Sequence, residues 1–138
     1  MKTKAIHNIK AAEALIDKAE EGYYTASIHH VYYAVFQYMK YELAHTDMEP
    51  LSDEEQTVKA KEYRMGSHDF IIKEIKRRIG RLANLDTAKD FARDVRELKG
   101  DRIDADYRSR QFTLEESLAC KRLAEELITK LKTYFGDL

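Results

Sequence analysis

GYYTASIHHVYYAVFQYMKYELA, residues 22–44, is apolar or aromatic over most of its circumference when wound as a helix. At ~100° per residue, Thr25, His29, His30, Gln37 and Lys40 gather into one narrow polar strip. Tyr23, Ile28, Tyr32, Val35, Phe36, Met39 and Leu43 cover the rest. A helix with that pattern needs neighbours on several sides, so the chain is expected to be built around it.

The flanking segments have the stripes to supply those neighbours. Over residues 3–20, Ile9, Ala12, Ile16 and Ala19 recur at spacings of three and four, and Gly22 is the expected break between this helix and the central one. Residues 46–66 hold the only proline and few large apolar side chains, so they read as a solvated surface excursion. Within it, Ser52 and Glu55 have capping-box spacing, which predicts a short helix over 53–63. Ser67 is the expected cap of the next helix, striped by Ile71, Ile75, Ile79 and Leu82, with His68 on the same stripe. A further helix starts near Asp86 or Thr87 and carries Phe91, Val95 and Leu98. Thr113 and Glu116 form a second capping box ahead of Cys120, Leu123, Ala124, Leu127, Leu131 and Tyr134.

Composition agrees with an all-α reading. The 138 residues are 36% charged and 43% hydrophobic, with five Gly, one Pro and no Trp, so the turn residues that strands require are scarce. A single domain over 1–138 is expected, since a chain of this size can bury ~70% of its unfolded surface. The net charge of −1 gives no global field for nucleic acid or acidic lipid, and such binding would need a local Arg and Lys cluster. One cysteine, Cys120, no secretory leader and no apolar run near the roughly 20 residues of a membrane span point to a cytoplasmic protein.

One residue interrupts the apolar stripes. Arg102 continues the series Phe91, Val95, Leu98, within roughly 20° of that stripe, where an aliphatic side chain is expected. Asp106, one turn on, is the candidate partner of a structural ion pair. The alternative is a site: LKGDRIDADYRSRQF places Arg102, Arg108 and Arg110 together near a helix end, and arginines can hold phosphate bidentately. Phosphate loops, HExxH and paired cysteines are absent, and the adjacent His29 and His30 point ~100° apart. No metal and no cofactor are expected.

AlaSerIleHisHisValTyrTyrAlaValPhe over 26–36, Ser67-His68, Arg102-Ile-Asp-Ala-Asp106-Tyr107 and Phe112 before a capped last helix follow one another in that order. As an ordered set they resemble the HEPN superfamily of small helical bundles, in the branch with an Arg-x-x-Ala-Asp-Tyr motif. The resemblance covers nearly the whole chain. It implies an antiparallel bundle of about five helices with a long excursion between the second and third, and a homodimer. In many relatives it also implies a metal-independent ribonuclease within a toxin–antitoxin or defence system, often beside a small nucleotidyltransferase.

The catalytic signature of those relatives is an Arg followed, after four to six residues, by His. Here Arg102 matches, but the corresponding positions are Tyr107, Arg108 and Ser109. The expectation is therefore a protein that binds nucleotide or RNA through Arg102, Asp106, Arg108 and Arg110, with weak or no nuclease activity. The alternatives are an active endoribonuclease that uses Arg102 with Tyr107 or His68, and a helical interaction module without ligand.

Overall fold

The computed structural model describes residues 1–136, with the backbone alone at Glu21; the last two residues of the expected 1–138 domain lie outside the described residues. Six helices and no strand are found among them: α1 (Lys2–Asp17), α2 (Glu21–His45), α3 (Asp53–Glu62), α4 (Ser67–Leu82), α5 (Leu85–Tyr107) and α6 (Leu114–Phe135). The expected bundle of about five helices corresponds to α1, α2, α4, α5 and α6, and α3 is the short helix of the excursion.

α2 is the central element and packs against α1, α4, α5 and α6. Ile28, Val31, Tyr32, Ala34, Val35, Met39 and Leu43 are sealed from solvent. Tyr23 departs from the expectation and stays 39% exposed, because it stands on the first turn, before burial begins at Thr25. α1 approaches α2 closely because the residues it presents, Ala5 and Ala12, are small and buried. The break between the two helices is not at Gly22, which lies inside α2. Ala19 turns the chain instead, in the left-handed region at φ 55, with its N–H donating to the Ile16 carbonyl.

The excursion is tied down rather than solvated throughout. Its outer face is exposed, but Leu51, Gln56 and Ala60 are buried. Gln56 Nε2 donates to the carbonyls of Lys40 and Leu51 at 3.1 and 2.8 Å. Arg78 of α4 is 4% exposed and donates to the carbonyls of Met48 and Glu49 at 2.8 and 2.7 Å, while its Nε donates to Glu74 at 2.9 Å. Each nitrogen of that guanidinium makes a hydrogen bond, as a buried Arg requires. The Ser52–Glu55 capping box forms as expected.

Helix starts shift by one residue where the sequence offers two candidate caps. Gly66, not Ser67, is the N-cap of α4, since its carbonyl already accepts from Phe70 N–H and Ser67 has entered the helix. Asn84 caps α5 through a 2.8 Å bond from Thr87 N–H, so the helix starts at Leu85 rather than Asp86 or Thr87. Leu82 ends the α4 stripe at the helix terminus and is exposed, outside the core. α5 runs unbroken to Tyr107, so Arg102 and Asp106 stand one turn apart on the same helix.

Candidate functional site

The polar strip of α2 meets the C-terminal half of α5 and the first turn of α4. There, side chains distant in sequence converge. Arg102 of α5 lays its guanidinium over the rings of Tyr33 and Tyr32, 5.1 and 5.6 Å from their centroids, and donates from Nη2 to the Tyr33 hydroxyl at 2.5 Å. Its side chain is 12% exposed. Charge on an aromatic face of this kind is stabilised by the ring quadrupoles.

Asp106 does not close the ion pair with Arg102 tightly. Its Oδ2 lies 3.6 Å from Arg102 Nε, beyond hydrogen-bond reach, and Nε is buried without a hydrogen-bond partner. The short contact of the same oxygen is with Nδ1 of His29, at 2.8 Å. His29 in turn rests on the Tyr33 ring, 4.6 Å between centroids. Tyr33 and Asp106 therefore each touch both His29 and Arg102. His29, on α2, lies far from the positions just after Arg102 where the signature of the relatives has its histidine. Its only mark in the sequence is membership of the polar strip on an otherwise buried helix.

His68 reaches the same cluster from α4, stacked flat on Phe36 at 4.0 Å and 7°. Burial and the positive charges of Lys99 and Arg102 lower its pKa to about 4, so the ring is neutral near pH 7. Burial pushes Tyr32 up from the usual phenol value, so its hydroxyl keeps its proton. The Tyr32 hydroxyl and His68 Nδ1 are hydrogen-bonded to each other at 2.7 Å. With its pKa held that low, His68 is a poor base. Lys99 and Asp69 bridge α5 and α4 beside it at 3.0 Å.

The remaining candidates are placed differently. Tyr107 is 74% exposed at the end of α5, with the Arg102 guanidinium 5.8 Å from its ring centre. Arg108 is the exposed C-cap of α5 and forms no side-chain ion pair among the described residues. Arg110 turns away to Asp101, Asp104 and Glu116 at 3.1, 3.1 and 2.8 Å and covers the Phe112 ring at 4.0 Å. It joins the end of α5 to the start of α6 and shares no hydrogen bond or ion pair with the Arg102 cluster. A separate cavity of about 560 Å³ between α3, α4 and α5 is lined by Tyr63, Met65, Phe70 and Leu85 and holds none of these residues. Among the described residues no three His, Cys, Asp or Glu side chains converge as a metal site would require, and no helix is long and apolar enough to cross a membrane.

The family model for the HEPN domain matches residues 1–134, all but the last four residues of the chain. No match was found among curated proteins or among solved structures. The match spans α1 to α5 and all but the last residue of α6, and with them every residue of the cluster, as the motif order along α2, α4 and α5 implies. The chain belongs to the HEPN domain family.

Proposed function

We propose that this single HEPN-like domain binds RNA or a nucleotide through a phosphate seated on Arg102, as a homodimer in a reducing cytoplasm. The observation that carries the reading is the state of Arg102. Its guanidinium is held by three tyrosine rings and makes a single hydrogen bond, to Tyr33, while the neighbouring carboxylate is turned toward His29. A guanidinium positioned by packing, with donors left over, is suited to a phosphate. Family membership supports the RNA or nucleotide class of ligand. It also supports a place in a toxin–antitoxin or defence-type system beside a small nucleotidyltransferase.

The test is fluorescence anisotropy with a labelled single-stranded RNA, comparing the natural protein with Arg102→Ala. Loss of charge-assisted hydrogen bonds worth about 1.5–3 kcal/mol weakens binding by about tenfold or more. Affinity also falls with rising salt, as phosphate contacts require. Equal binding by the two proteins removes the reading. Light scattering at twice 16.2 kDa checks the dimer.

A further inference from the structure

We propose that the cavity between α3, α4 and the start of α5 binds a small aromatic carboxylate. Its wall is apolar and largely aromatic, its rim is basic, and none of its residues belongs to the Arg102 site. The volume of about 560 Å³ lies within the roughly 300–1,000 Å³ of small-molecule sites.

The apolar wall is assembled from three parts of the chain. Phe70 of α4 lines the cavity at 4% exposure. Tyr63, the C-cap of α3, runs alongside it, with the two ring planes within 16° of parallel and the centroids 6.1 Å apart. Met65 and Leu85 complete the wall. Between Tyr63 and Met65, Arg64 takes the left-handed φ of 53, and Met65 N–H donates to the Ala60 carbonyl at 2.9 Å. That reversal after α3 brings both side chains to one cavity. Tyr63 and Leu85 nevertheless stay 64% and 60% exposed. Large apolar side chains left open around one concave space mark a surface that a ligand covers. A ring entering there meets a phenol, a phenyl ring and a thioether, contacts that favour an aromatic body over an aliphatic one.

The rim selects an anion. Lys73, Lys76 and Arg77 line the cavity from α4, and Glu74 is the single acid among the lining residues. Glu74 is already neutralised, accepting from Arg77 at 2.5 and 3.2 Å and from Arg78 Nε at 2.9 Å. Lys73 and Lys76 are three residues apart, neighbours on one helix face, and neither ammonium has a hydrogen bond or ion pair among the described residues. Unpaired ammonium groups beside an apolar wall fit a ligand with an apolar body and one negative group. Lysines act as point charges and the Arg77 fork is taken by Glu74, so a single carboxylate meets what the rim has left to offer.

The cavity is also remote from the polar cluster. Arg102 lies roughly 25 Å beyond Leu85 along α5, at 1.5 Å per residue. Phe70 and His68, two residues apart on α4, point ~200° apart. The two sites therefore take different faces of α4 and different ends of α5.

The experiment is isothermal calorimetry on the full chain with 2-naphthoate, its neutral counterpart 2-naphthamide, and the saturated decahydronaphthalene-2-carboxylate. Naphthoate is expected to bind one molecule per chain. Naphthamide is expected to bind about five- to tenfold more weakly, the effect of two partly exposed ion pairs, and the gap narrows with added salt. The saturated acid loses the ring contacts and binds about two- to tenfold more weakly than naphthoate. Lys73→Gln combined with Lys76→Gln brings naphthoate down to the level of naphthamide and leaves naphthamide unchanged, whereas Tyr63→Ala weakens both. Circular dichroism checks the fold of each variant, and Lys73→Gln alone, at an exposed position, shows part of the same loss if the double variant is unstable. Arg102→Ala keeps the natural naphthoate affinity. No binding of naphthoate, equal binding of naphthamide, or natural affinity in the lysine variants overturns the inference. Equal binding of the saturated acid overturns the aromatic assignment, and loss of naphthoate binding in Arg102→Ala moves the ligand to the other site and overturns the cavity. The RNA reading of Arg102 stands or falls separately.

Discussion

Asp106 Oδ2 stands 2.8 Å from His29 Nδ1 but 3.6 Å from Arg102 Nε, its neighbour one turn back on α5. The difference decides what Arg102 does for stability. A closely paired buried arginine costs about 3–5 kcal/mol when removed. Here the pair is loose and the guanidinium is retained by one hydrogen bond and by ring faces. Arg102→Ala is therefore expected to lower stability by only about 1–2 kcal/mol, the worth of that bond and the ring contact. Urea unfolding at pH 7 measures it, and a loss of 4 kcal/mol or more, on the scale of a tight buried pair, would return Arg102 to a purely structural role.

Arg78 shows the contrasting case. Two of its three hydrogen bonds join α4 to the start of the excursion, the third goes to Glu74 within α4, and it is buried. Arg78→Ala leaves the carbonyls of Met48 and Glu49 without that donor while Glu74 keeps Arg77, so a loss of about 1.5–3 kcal/mol is expected. Amide exchange should quicken first in residues 48–52. Unchanged exchange there would show that Leu51 and Gln56 hold the excursion without Arg78.

His68 makes stability depend on pH in a defined direction. Its folded pKa is about 4, below the ordinary value of 6.5. Between these values the unfolded chain binds a proton that the folded chain refuses, so stability is full above pH 6.5 and falls as the pH drops toward 4. Urea unfolding at pH 7 and pH 5 should differ more for the natural protein than for His68→Gln. Equal slopes for the two proteins would place the acid sensitivity elsewhere.

Ala19 occupies a conformation that alanine disfavours, at φ 55 in the turn between α1 and α2. Glycine carries no Cβ penalty there, so Ala19→Gly is expected to raise stability by about 0.5–1 kcal/mol. The readout is the thermal midpoint. A fall in Tm would mean that the entropy gained by the unfolded glycine outweighs the relief of strain.

The architecture was legible in the sequence because helix stripes are local. Apolar spacing in residues 22–44 identified the central helix, and Ser52–Glu55 and Thr113–Glu116 announced two caps whose hydrogen bonds span three residues. Arg102 stood out for the same reason, as a charge on the stripe of Phe91, Val95 and Leu98. Ordered motifs added the family. The partners of these residues were not legible, because a stripe states that a side chain faces inward and not what it meets. His29 and Asp106 lie 77 residues apart on different helices, and only the packing of α2 against α5 decides that they touch. The same holds for Arg78 reaching back to Met48 and Glu49, which turned an expected solvated loop into an anchored one. Sequence determined which residues had to be buried or paired; the tertiary structure decided the pairings, because the geometry that joins distant side chains is set by how whole helices pack.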